Sequence, residues 1–380
     1  MKIFLYFIKK NNNAIVIAAG GTGGHVFPAI ALTKILSHRH KVIFFTDKRG
    51  EKYFSNQDIN RIILPISSSN RKNILQITKL TVNFIRSFFI SIIEMKKNKI
   101  NLVILFGSYI ALPVALAAFI MRISIVIHEQ NAILGLSNSI ISHFADKITV
   151  SFKETIGISK KNQSKVIFCG MPIRDKFYSN LIKHKYNHNN DINIVILGGS
   201  LGSDILSLKI AEIILSLDNK IKSRINIYHQ VKEEHYSTIN KLYLKSNLKS
   251  YKICVFFNDL EIIMSLSDLI ISRSGASSIA EIEFLGKPSI LIPLKNSARN
   301  HQYINAQVYS NNNNSTIIIE EDNLEIKLME SFDNLFIKDQ IKNLQIEAQK
   351  YWYKTKGAEN LATIIGQILI NKHNSRKIKY

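Results

Sequence analysis

The sequence predicts an α/β protein built from two Rossmann-like, doubly wound domains. Its 380 residues exceed the roughly 250 to 300 at which one hydrophobic core usually stops growing, so two domains are expected. The order strand, glycine cluster, apolar helix occurs twice, in residues 14–36 and again in residues 192–215. Short, continuously apolar segments between helical stretches indicate parallel strands that are buried on both faces.

Further strands of each half are predicted from such apolar segments. In the first half they are residues 41–46, 101–106, 123–129 and 147–151. In the second half they are residues 225–230, 252–257, 268–272 and 288–293. The segment CGMPIR (169–174) supplies the Gly and Pro that mark a domain boundary. We therefore expect a first domain over residues 1–170 and a second over residues 171–350.

Composition limits the classes of function. A hydrophobic fraction of 46% with 21% charged residues excludes a disordered chain. Fifty Lys and Arg against 28 Asp and Glu give a net charge of +22, which suggests nucleic acid, an acidic membrane or a phosphorylated substrate as partner. A lysine-rich composition with no role in binding is the alternative, and charge alone does not choose between them.

Cysteine and carboxylate patterns argue against a metal or a cofactor. Cys169 and Cys254 form no CxxC pair and have no nearby histidine pair, which argues against zinc and favours a reduced, cytosolic compartment. The sequence has no Asp-x-Asp pair to hold a nucleotide diphosphate through a divalent metal. It also lacks the P-loop motif GxxxxGKS/T. We expect neither a metal site nor a cofactor.

No membrane-spanning segment is predicted. Residues 1–10, MKIFLYFIKK, lack a small-residue cleavage site and are interpreted as an N-terminal extension, not a signal peptide. Residues 111–127 form the best spanning candidate, but Pro113 and Arg122 interrupt them. The run also falls short of the ~20 apolar residues that a spanning helix needs.

The glycine loops predict phosphate binding. Glycines after a strand let the backbone approach a ligand closely, and the following helix directs its free N–H groups toward a phosphate. The first loop, GGTGGH, has Val26 where GxGxxG requires a third glycine, whereas Asp47 stands where a ribose-binding acid is expected. A dinucleotide site is therefore one alternative, and glycines that only permit tight packing are another.

A third motif occupies residues 268–293. A strand leads into SRSGASS and then into a helix that is predicted to end at Gly286. The amino end of this helix can face a diphosphate, and Glu281, about a turn and a half along it, can accept hydrogen bonds from two ribose hydroxyls. A glutamate on a helix is usually just solvated, but the position behind a strand end favours a functional interpretation.

Six segments together resemble the MurG family of bacterial glycosyltransferases: AGGTGGHVFPA (19–29), HEQNAILGLSN (128–138), GMPIR (170–174), GGSLGS (198–203), RSGASSIAE (273–281) and HQYINA (301–306). The resemblance implies inverting, metal-independent transfer of N-acetylglucosamine from UDP-N-acetylglucosamine to undecaprenyl-pyrophosphoryl-N-acetylmuramoyl-pentapeptide in peptidoglycan synthesis. It implies a peripheral protein on the cytoplasmic face of the bacterial inner membrane. It also implies a GT-B fold, with two domains facing a cleft and a helix in residues 351–380 that crosses back to the first domain.

The same resemblance implies the residues that bind the donor. From the first domain these are Thr22, Gly23, Gly24 and Asn131. The remaining ones are Arg174, Ser200, the backbone at Phe257, Ala276, Ser277, Ser278, Ile279, Ala280, Glu281 and Gln302. Departures from the family pattern lie in the acceptor loop and the sugar contacts: Ser108, Ala111 and Leu112 in GSYIALP (107–113), and also Met171, Leu201 and His301.

His25 follows the first glycine loop and is the candidate base. An inverting transfer needs a proton acceptor near the acceptor hydroxyl, and histidine titrates near neutral pH. A histidine that only binds the acceptor's phosphates or caps the loop is the alternative. Both interpretations are open at the level of sequence.

Three competing functions are distinguished by these motifs. An NAD-dependent oxidoreductase would explain GGTGGH and Asp47, but neither the second glycine unit nor RSGASSIAE. A nucleic-acid binder would use the net charge, but no recognised module and no aromatic-basic interleaving is present, so no nucleic-acid partner is predicted. A UDP-sugar transferase that acts on another lipid is the remaining alternative.

Residues 71–97 predict a helix with two apolar lines. The first line is predicted to face the core, because its members recur at helical spacing: Ile77, Leu80, Phe84, Phe88 and Ile92. The second line and its basic neighbours suit an anionic membrane surface: Leu75, Val82, Ile85, Phe89 and Ile93 with Arg71, Lys72, Lys79 and Arg86. A helix buried on two sides is the alternative.

Overall fold

The computed structural model describes residues 13–54, 58–66, 74–179, 191–199, 203–351 and 356–377. The chain divides into two compact units, one of Met1–Arg174 with Lys356–Tyr380 and one of Asp175–Thr355. These divisions lie four and five residues beyond the expected 170/171 and 350/351. Residues 1–10, Arg71, Lys72, Ser200 and Leu201 are outside the described residues.

The first unit contains a fully parallel sheet in the order β3-β2-β1-β4-β5-β6-β7. Its strands are β1 (Ala14–Ala18), β2 (Lys41–Asp47), β3 (Arg61–Leu64), β4 (Ile100–Leu105), β5 (Ser124–Glu129), β6 (Lys147–Val150) and β7 (Val166–Phe168). The central strand β1 is buried along its whole length, with Ile15 and Ile17 in the core on one face and Val16 and Ala18 in the core on the other. Helices must therefore cover both faces.

The helices of this unit follow their strands. They are α1 (Gly23–Ser37), α2 (Lys48–Glu51), α3 (Ile74–Lys97), α4 (Ala111–Ile120) and α5 (Leu136–Ile141). Helix α1 packs on the face of Ile15 and Ile17, whereas α4 packs on the opposite face. This places the amino end of α1 at the carboxyl edge of the sheet, where doubly wound folds bind ligands.

The second unit repeats the arrangement with the order β10-β9-β8-β11-β12-β13, again fully parallel. The unit begins with helix α6 (Asp175–Ser179). Its strands are β8 (Ile192–Leu197), β9 (Ile225–Gln230), β10 (Ser250–Cys254), β11 (Leu269–Ser272), β12 (Ser289–Leu291) and β13 (Thr316–Ile318). The other helices are α7 (Ile210–Ser216), α8 (Asn219–Lys222), α9 (Glu233–Leu244), α10 (Leu260–Ser265), α11 (Ala276–Leu285), α12 (His301–Asn311), α13 (Leu324–Phe332) and α14 (Ile341–Gln349). The predicted class of two Rossmann-like, doubly wound domains is confirmed.

A last helix, α15 (Gly357–Lys377), packs against α1 in the first unit. Leu361 and Ile365 are fully buried in the core that also contains Ile15 and Val26. Gly357 allows the close approach, because a Cβ there would lie 2.2 Å from the backbone of Met171. The C-terminal segment therefore completes the core of the unit to which the N-terminal strand belongs.

Three edge strands had no counterpart in the sequence prediction: β3, β7 and β13. All three lie at the ends of their sheets and have only four, three and three residues. An edge strand is covered on fewer sides than a central strand, so its apolar run is short and gives a weak pattern. The strands predicted in the centre of each sheet are present.

Residues 111–127 form helix α4, a turn and strand β5, so the apolar stretch belongs to the core of the first unit. Over the described residues, no helix combines the length and apolar character needed to cross a bilayer.

Candidate active site

The first glycine loop joins β1 to α1. Gly21 has a φ of 82°, which is a left-handed conformation that glycine adopts without strain. Thr22 is the N-cap residue of α1 and makes no side-chain capping bond, although its carbonyl accepts from the N–H of His25 at 3.1 Å. The N–H groups of Gly23 and Gly24 precede the first intrahelical bond and remain directed at the loop. An anion is the complementary ligand for such a helix end.

Asp47 holds this loop from the end of β2. Its Oδ1 accepts from the backbone N–H of Gly21 at 2.9 Å and from that of Gly50 at 2.8 Å, while Oδ2 pairs with Arg49 at 3.2 Å. Gly20 must be glycine because a Cβ there would lie 2.9 Å from Asp47 Oδ1. The carboxylate is buried and saturated by protein groups. The ribose-binding role that the dinucleotide alternative gave to Asp47 is therefore wrong.

His25 lies in the first turns of α1 and is half-buried. Its Nδ1 is 3.2 Å from Oε1 of Gln130, and Gln130 Nε2 donates to the carbonyl of Phe106 at 3.1 Å. A Cβ on Gly107 would lie 3.5 Å from His25 Cε1, so the imidazole lies near the backbone that follows β4. Gln130 was not predicted as a site residue, because it contacts His25 across 105 residues of chain.

Asn131 is positioned by Glu129, the last residue of β5. Glu129 Oε1 accepts from the backbone and side-chain nitrogens of Asn131 at 3.0 and 3.1 Å. Its Oε2 accepts from Gly135 N at 2.8 Å and from Asn138 Nδ2 at 2.9 Å. The structure thus brings Asn131, Gln130 and His25 to one edge of the first sheet, together with the glycine loop.

His128, on β5, is buried in the core next to this edge and is not a candidate base. It is fully buried, and burial together with the nearby charge of His25 lowers its pKa to about 3. Its ring nitrogens contact the hydroxyls of Thr149 and Ser151, each at 3.1 Å. Burial likewise raises the pKa of Cys169 to about 12, so neither group exchanges protons near neutral pH.

Arg174 lies with the first glycine loop, because its guanidinium is 5.3 Å from the ring centre of Phe27 on α1. The Phe27 ring in turn contacts Tyr53 edge-on at 5.1 Å. Gly23 completes this cluster, since a Cβ there would lie 2.8 Å from the Phe27 ring. A cation is thus held over an aromatic face beside the amino end of α1.

In the second unit, helix α11 begins directly after the strand end of β11. Gly275 is its N-cap residue and makes no side-chain capping bond, and Gly286, with a φ of 59°, ends the helix as predicted. Among the described residues, Ser277 Oγ is buried without a hydrogen-bond partner. Glu281 is buried as well, with 7% of its surface exposed. The remaining predicted residues of this turn, Ala276, Ser278, Ile279 and Ala280, lie on the same helix.

Gln302 is tied to the turn before α11. Its Oε1 accepts from the N–H of Leu294 at 3.0 Å, so its amide nitrogen is the group that can donate to a ligand. Ser274 Oγ donates to the Gln302 carbonyl at 2.8 Å, and Asn305 Nδ2 donates to the Ser274 carbonyl at 3.2 Å. Phe257, the other predicted residue, follows β10 and is buried under the ammonium of Lys252.

Arg273 connects three segments beneath this site and was not singled out from the sequence. It forms a buried ion pair with Glu321. Its Nη2 donates to Ser203 Oγ at 2.8 Å, at the end of the second glycine loop, and its Nη1 donates to the carbonyl of Ile292 at 3.1 Å. In that loop Gly199 has a φ of 80° and open space around it, whereas Ser200 is outside the described residues.

The structure describes the residues that depart from the family pattern, except Leu201. Ser108 has a φ of 66°, a conformation more typical of glycine, and Ala111 begins α4 fully buried. Met171 is buried beneath Gly357, and its sulfur accepts from Ser151 Oγ at 3.2 Å. His301 begins α12 and its Nδ1 contacts the carbonyl of Ala298 at 2.8 Å.

Within the described part of the chain, one group of side chains has the spacing of metal ligands: Asp204, Glu234 and His235. Asp204 is exposed and is hydrogen-bonded to Lys232 and His235, which lower its pKa. These contacts describe a surface ion-pair network, a kind of interaction that contributes little to stability.

Comparison with known proteins identifies the family. The model of the glycosyltransferase family 28 N-terminal domain matches residues 15–150, and that of the C-terminal domain matches residues 193–363. A relative from Wolbachia sp. subsp. Drosophila simulans is 33% identical over 355 residues, covering 92% of this chain and 98% of its own. It is named UDP-N-acetylglucosamine--N-acetylmuramyl-(pentapeptide) pyrophosphoryl-undecaprenol N-acetylglucosamine transferase. The chain belongs to the MurG family of glycosyltransferase family 28.

Other MurG-family proteins match over similar lengths. A relative of the same name from Prochlorococcus marinus is 32% identical over 374 residues, covering 98% of this chain and 95% of its own. The crystal structure of Acinetobacter baumannii MurG matches with a TM-score of 0.74 at 23% identity, covering 94% of this chain and 100% of that one. A glycosyltransferase of kitacinnamycin matches with a TM-score of 0.70 at 12% identity, covering 94% and 99%. The predicted GT-B class and the membership of the MurG family are confirmed.

Proposed function

We propose that this chain transfers N-acetylglucosamine from UDP-N-acetylglucosamine to the muramoyl sugar of undecaprenyl-pyrophosphoryl-N-acetylmuramoyl-pentapeptide, with inversion at the donor carbon. The observation that carries the proposal is the match, over nearly the full length of both chains, to relatives that bear this activity in their names. The sites of both units support it, because each places a helix amino end beside polar side chains.

In the second unit, α11 supplies the donor site of the proposal. Its first N–H groups face the diphosphate, and the Glu281 carboxylate accepts the ribose hydroxyls. Gln302 contributes an amide donor, since its oxygen is already bound to Leu294 N. When the bond between C1 of the sugar and the diphosphate oxygen breaks, negative charge develops on UDP, and a helix amino end stabilises that charge.

In the first unit, His25 takes the proton of the acceptor hydroxyl as that oxygen forms its bond to C1. The imidazole stands in the first turns of α1, half-buried and held by Gln130. The neighbouring N–H groups of Gly23 and Gly24, together with Arg174, form a positively polarised surface for phosphate oxygens. Proton transfer by a positioned histidine contributes about 100-fold to 10,000-fold in rate.

Helix α3 supports the proposed docking to an anionic membrane at the cytoplasmic face. Val82, Ile85, Phe89 and Ile93 are each about half exposed, between 47% and 61%. Leu116, Phe119 and Ile120 are exposed on the adjacent helix α4. Lys79 and Arg86 are exposed on α3 as well, whereas no side-chain position is described for Leu75. Apolar side chains flanked by cations suit the headgroup region of an anionic leaflet.

The test is turnover of the full-length chain with radiolabelled UDP-N-acetylglucosamine and the muramoyl-pentapeptide lipid. We expect label in the lipid fraction, a β-linked disaccharide by nuclear magnetic resonance, and little transfer from UDP-glucose. The matched acceptor control is undecaprenyl pyrophosphate that carries a different amino sugar. Transfer to that control lipid alone would assign another acceptor, whereas NADH binding without UDP-sugar binding would support the oxidoreductase alternative.

A further inference from the structure

Gln130 occupies a position in which its carboxamide can point only one way. It is 2% exposed and lies between the carbonyl oxygen of Phe106, 3.1 Å from Nε2, and the imidazole of His25, 3.2 Å from Oε1. A carbonyl oxygen accepts hydrogen bonds and cannot donate them, so the amide nitrogen must face Phe106. The amide oxygen must then face His25.

This orientation fixes the proton on the imidazole. An amide oxygen is only an acceptor, so His25 Nδ1 must carry a hydrogen to bond with it. In the neutral ring the other nitrogen, Nε2, then holds the lone pair. A base needs that lone pair, and a ring protonated at Nε2 instead would present a donor to the acceptor hydroxyl.

Two further contacts keep the pair in register. Glu129, directly before Gln130, binds the N–H of Gly135 at 2.8 Å and the amide of Asn138 at 2.9 Å, which anchors the loop after β5. Gly107 lies beside the Cε1 edge of the imidazole, since a Cβ there would be 3.5 Å from that atom. His128 on β5 is buried, and its pKa of about 3, lowered by burial and by the charge of His25, leaves it neutral near pH 7.

We infer that Gln130 is a positioning residue that holds His25 as the Nδ1–H tautomer and so directs the Nε2 lone pair to the acceptor hydroxyl. The inference rests on the proposed role of His25 as the base. Gln130 itself acts through His25 and takes no proton from the substrate. Its role is to select which nitrogen can accept one.

Two variants of Gln130 separate positioning from folding. Gln130→Met is close in size but replaces the amide oxygen by a thioether sulfur, which is only a weak acceptor for His25. Gln130→Glu presents an oxygen to His25 whether the carboxyl group is ionised or protonated, and in the protonated form it also donates to Phe106. We expect the tautomer and most of the turnover to survive in Gln130→Glu and to be lost in Gln130→Met.

The first measurement needs no turnover. The full-length protein is labelled with ¹⁵N at the histidine rings for nuclear magnetic resonance, and the His25 signals are identified because they are absent in His25→Ala. The couplings of both ring nitrogens to the ring protons then give the tautomer. We expect Nδ1–H in the native chain and in Gln130→Glu, and a shift toward Nε2–H in Gln130→Met. An Nε2–H ring in the native chain would overturn the inference.

The second measurement is steady-state transfer to the lipid acceptor, with UDP affinity and the urea midpoint as controls for fold. We expect kcat to fall about 10-fold or more in Gln130→Met, a part of what a positioned base contributes, with KM for the lipid nearly unchanged. A raised KM with unchanged kcat would make Gln130 a structural or binding residue. If the native chain showed the Nδ1–H ring but no transfer to the lipid, the tautomer would stand and the proposed function would fail.

Discussion

The Oδ1 atom of Asp47 lies 2.9 Å from the backbone nitrogen of Gly21, and this hydrogen bond joins the end of β2 to the first glycine loop. The same oxygen binds Gly50 N at 2.8 Å. A buried carboxylate thus sets the conformation of the loop that is proposed to bind an anion through its N–H groups. The loop owes its shape to an acid that sequence comparison with dinucleotide sites would have assigned to a ribose.

Asp47→Ala should leave two buried N–H groups without acceptors. We expect the free energy of unfolding to fall by about 2 to 4 kcal/mol. Each unpaired N–H group costs about 1 to 3 kcal/mol, and part of this cost is offset because the variant no longer buries a charged carboxylate. Asp47→Asn keeps one acceptor oxygen and should lose less than half as much. Urea denaturation of both variants measures this difference. Equal stability of Asp47→Ala and the native chain would show that the loop does not depend on the carboxylate.

Arg273 and Glu321 form a buried ion pair in the second unit, with side chains that are 9% and 11% exposed. Removing one partner of a buried pair costs about 3 to 5 kcal/mol, because the other charge is left uncompensated. We expect the free energy of unfolding to fall by that amount in Arg273→Leu and by less in the double variant Arg273→Leu with Glu321→Leu. We also expect weaker UDP binding in Arg273→Leu, because Ser203 loses its hydrogen-bond donor.

The exposed pair of Lys295 and Asp322 is the matched control for Arg273. Lys295→Ala should leave the urea midpoint nearly unchanged, because exposed ion pairs contribute little to stability. Urea denaturation and calorimetric titration with UDP serve all of these variants. A double variant that loses as much as the sum of both single variants would show that the two charges do not interact.

Glu281→Ala should weaken binding of UDP-N-acetylglucosamine by about 2 to 3 kcal/mol, because two hydrogen bonds to a charged acceptor are lost. Calorimetric titration measures the affinity, and the same titration with EDTA present should be unchanged, since helix N–H groups and Arg174 are proposed to hold the diphosphate. Glu283, two residues along α11, offers Glu283→Ala as a control that should bind normally. Unaltered affinity of a folded Glu281→Ala chain would refute the assignment.

Acid should destabilise both units through buried neutral histidines. Burial lowers the pKa of His128 to about 3 and that of His229 to about 4, both below the unfolded value of about 6.5. Below about pH 6.5 the unfolded chain therefore binds more protons than the folded chain. The stability that the neutral histidines contribute is complete above about pH 6.5 and is lost as the pH falls toward their pKa values in the folded chain. From pH 6.5 to pH 5 the loss is about 2 kcal/mol for each histidine.

The variant His229→Phe tests this origin in the second unit. Its stability at pH 7 should fall, because Tyr243 OH and the Leu206 carbonyl lose their partner. Its further loss between pH 7 and pH 5 should nevertheless be about 2 kcal/mol smaller than that of the native chain. Denaturant unfolding at both pH values gives the comparison, and an equal pH dependence would contradict a neutral buried His229.

Features that depend on local motifs were predictable from the sequence, whereas contacts between residues far apart in the chain were not. The end of α11 at Gly286 depends on neighbouring residues, so its sequence pattern is sufficient. The bonds of Gln130 to His25 and of Asp47 to Gly21 join residues 105 and 26 positions apart. They depend on which strands lie side by side, and no local pattern contains that order.

Ile77 shows the same limit on one helix. It was predicted to face the core with Phe84 and Phe88, but 49% of its surface is exposed, whereas those two pack on the core. Helix α3 has 24 residues and is about 36 Å long, whereas a six-residue strand covers only about 20 Å. The first turns of α3 have no strand of matching length to cover, so helical spacing alone assigned Ile77 wrongly.

Exposure of Ile85 and Phe89, at 48% and 55%, gives the last prediction. Because neither side chain is buried, the double variant Ile85→Ser with Phe89→Ser should fold normally and bind UDP with native affinity. Each residue would insert apolar surface into the headgroup region, so we expect clearly reduced sedimentation with phosphatidylglycerol vesicles. Ile346→Ser is the matched control, since Ile346 is 62% exposed in the second unit and outside the proposed surface. Native vesicle binding by the double variant, or an equal loss in Ile346→Ser, would show that α3 is not the docking surface.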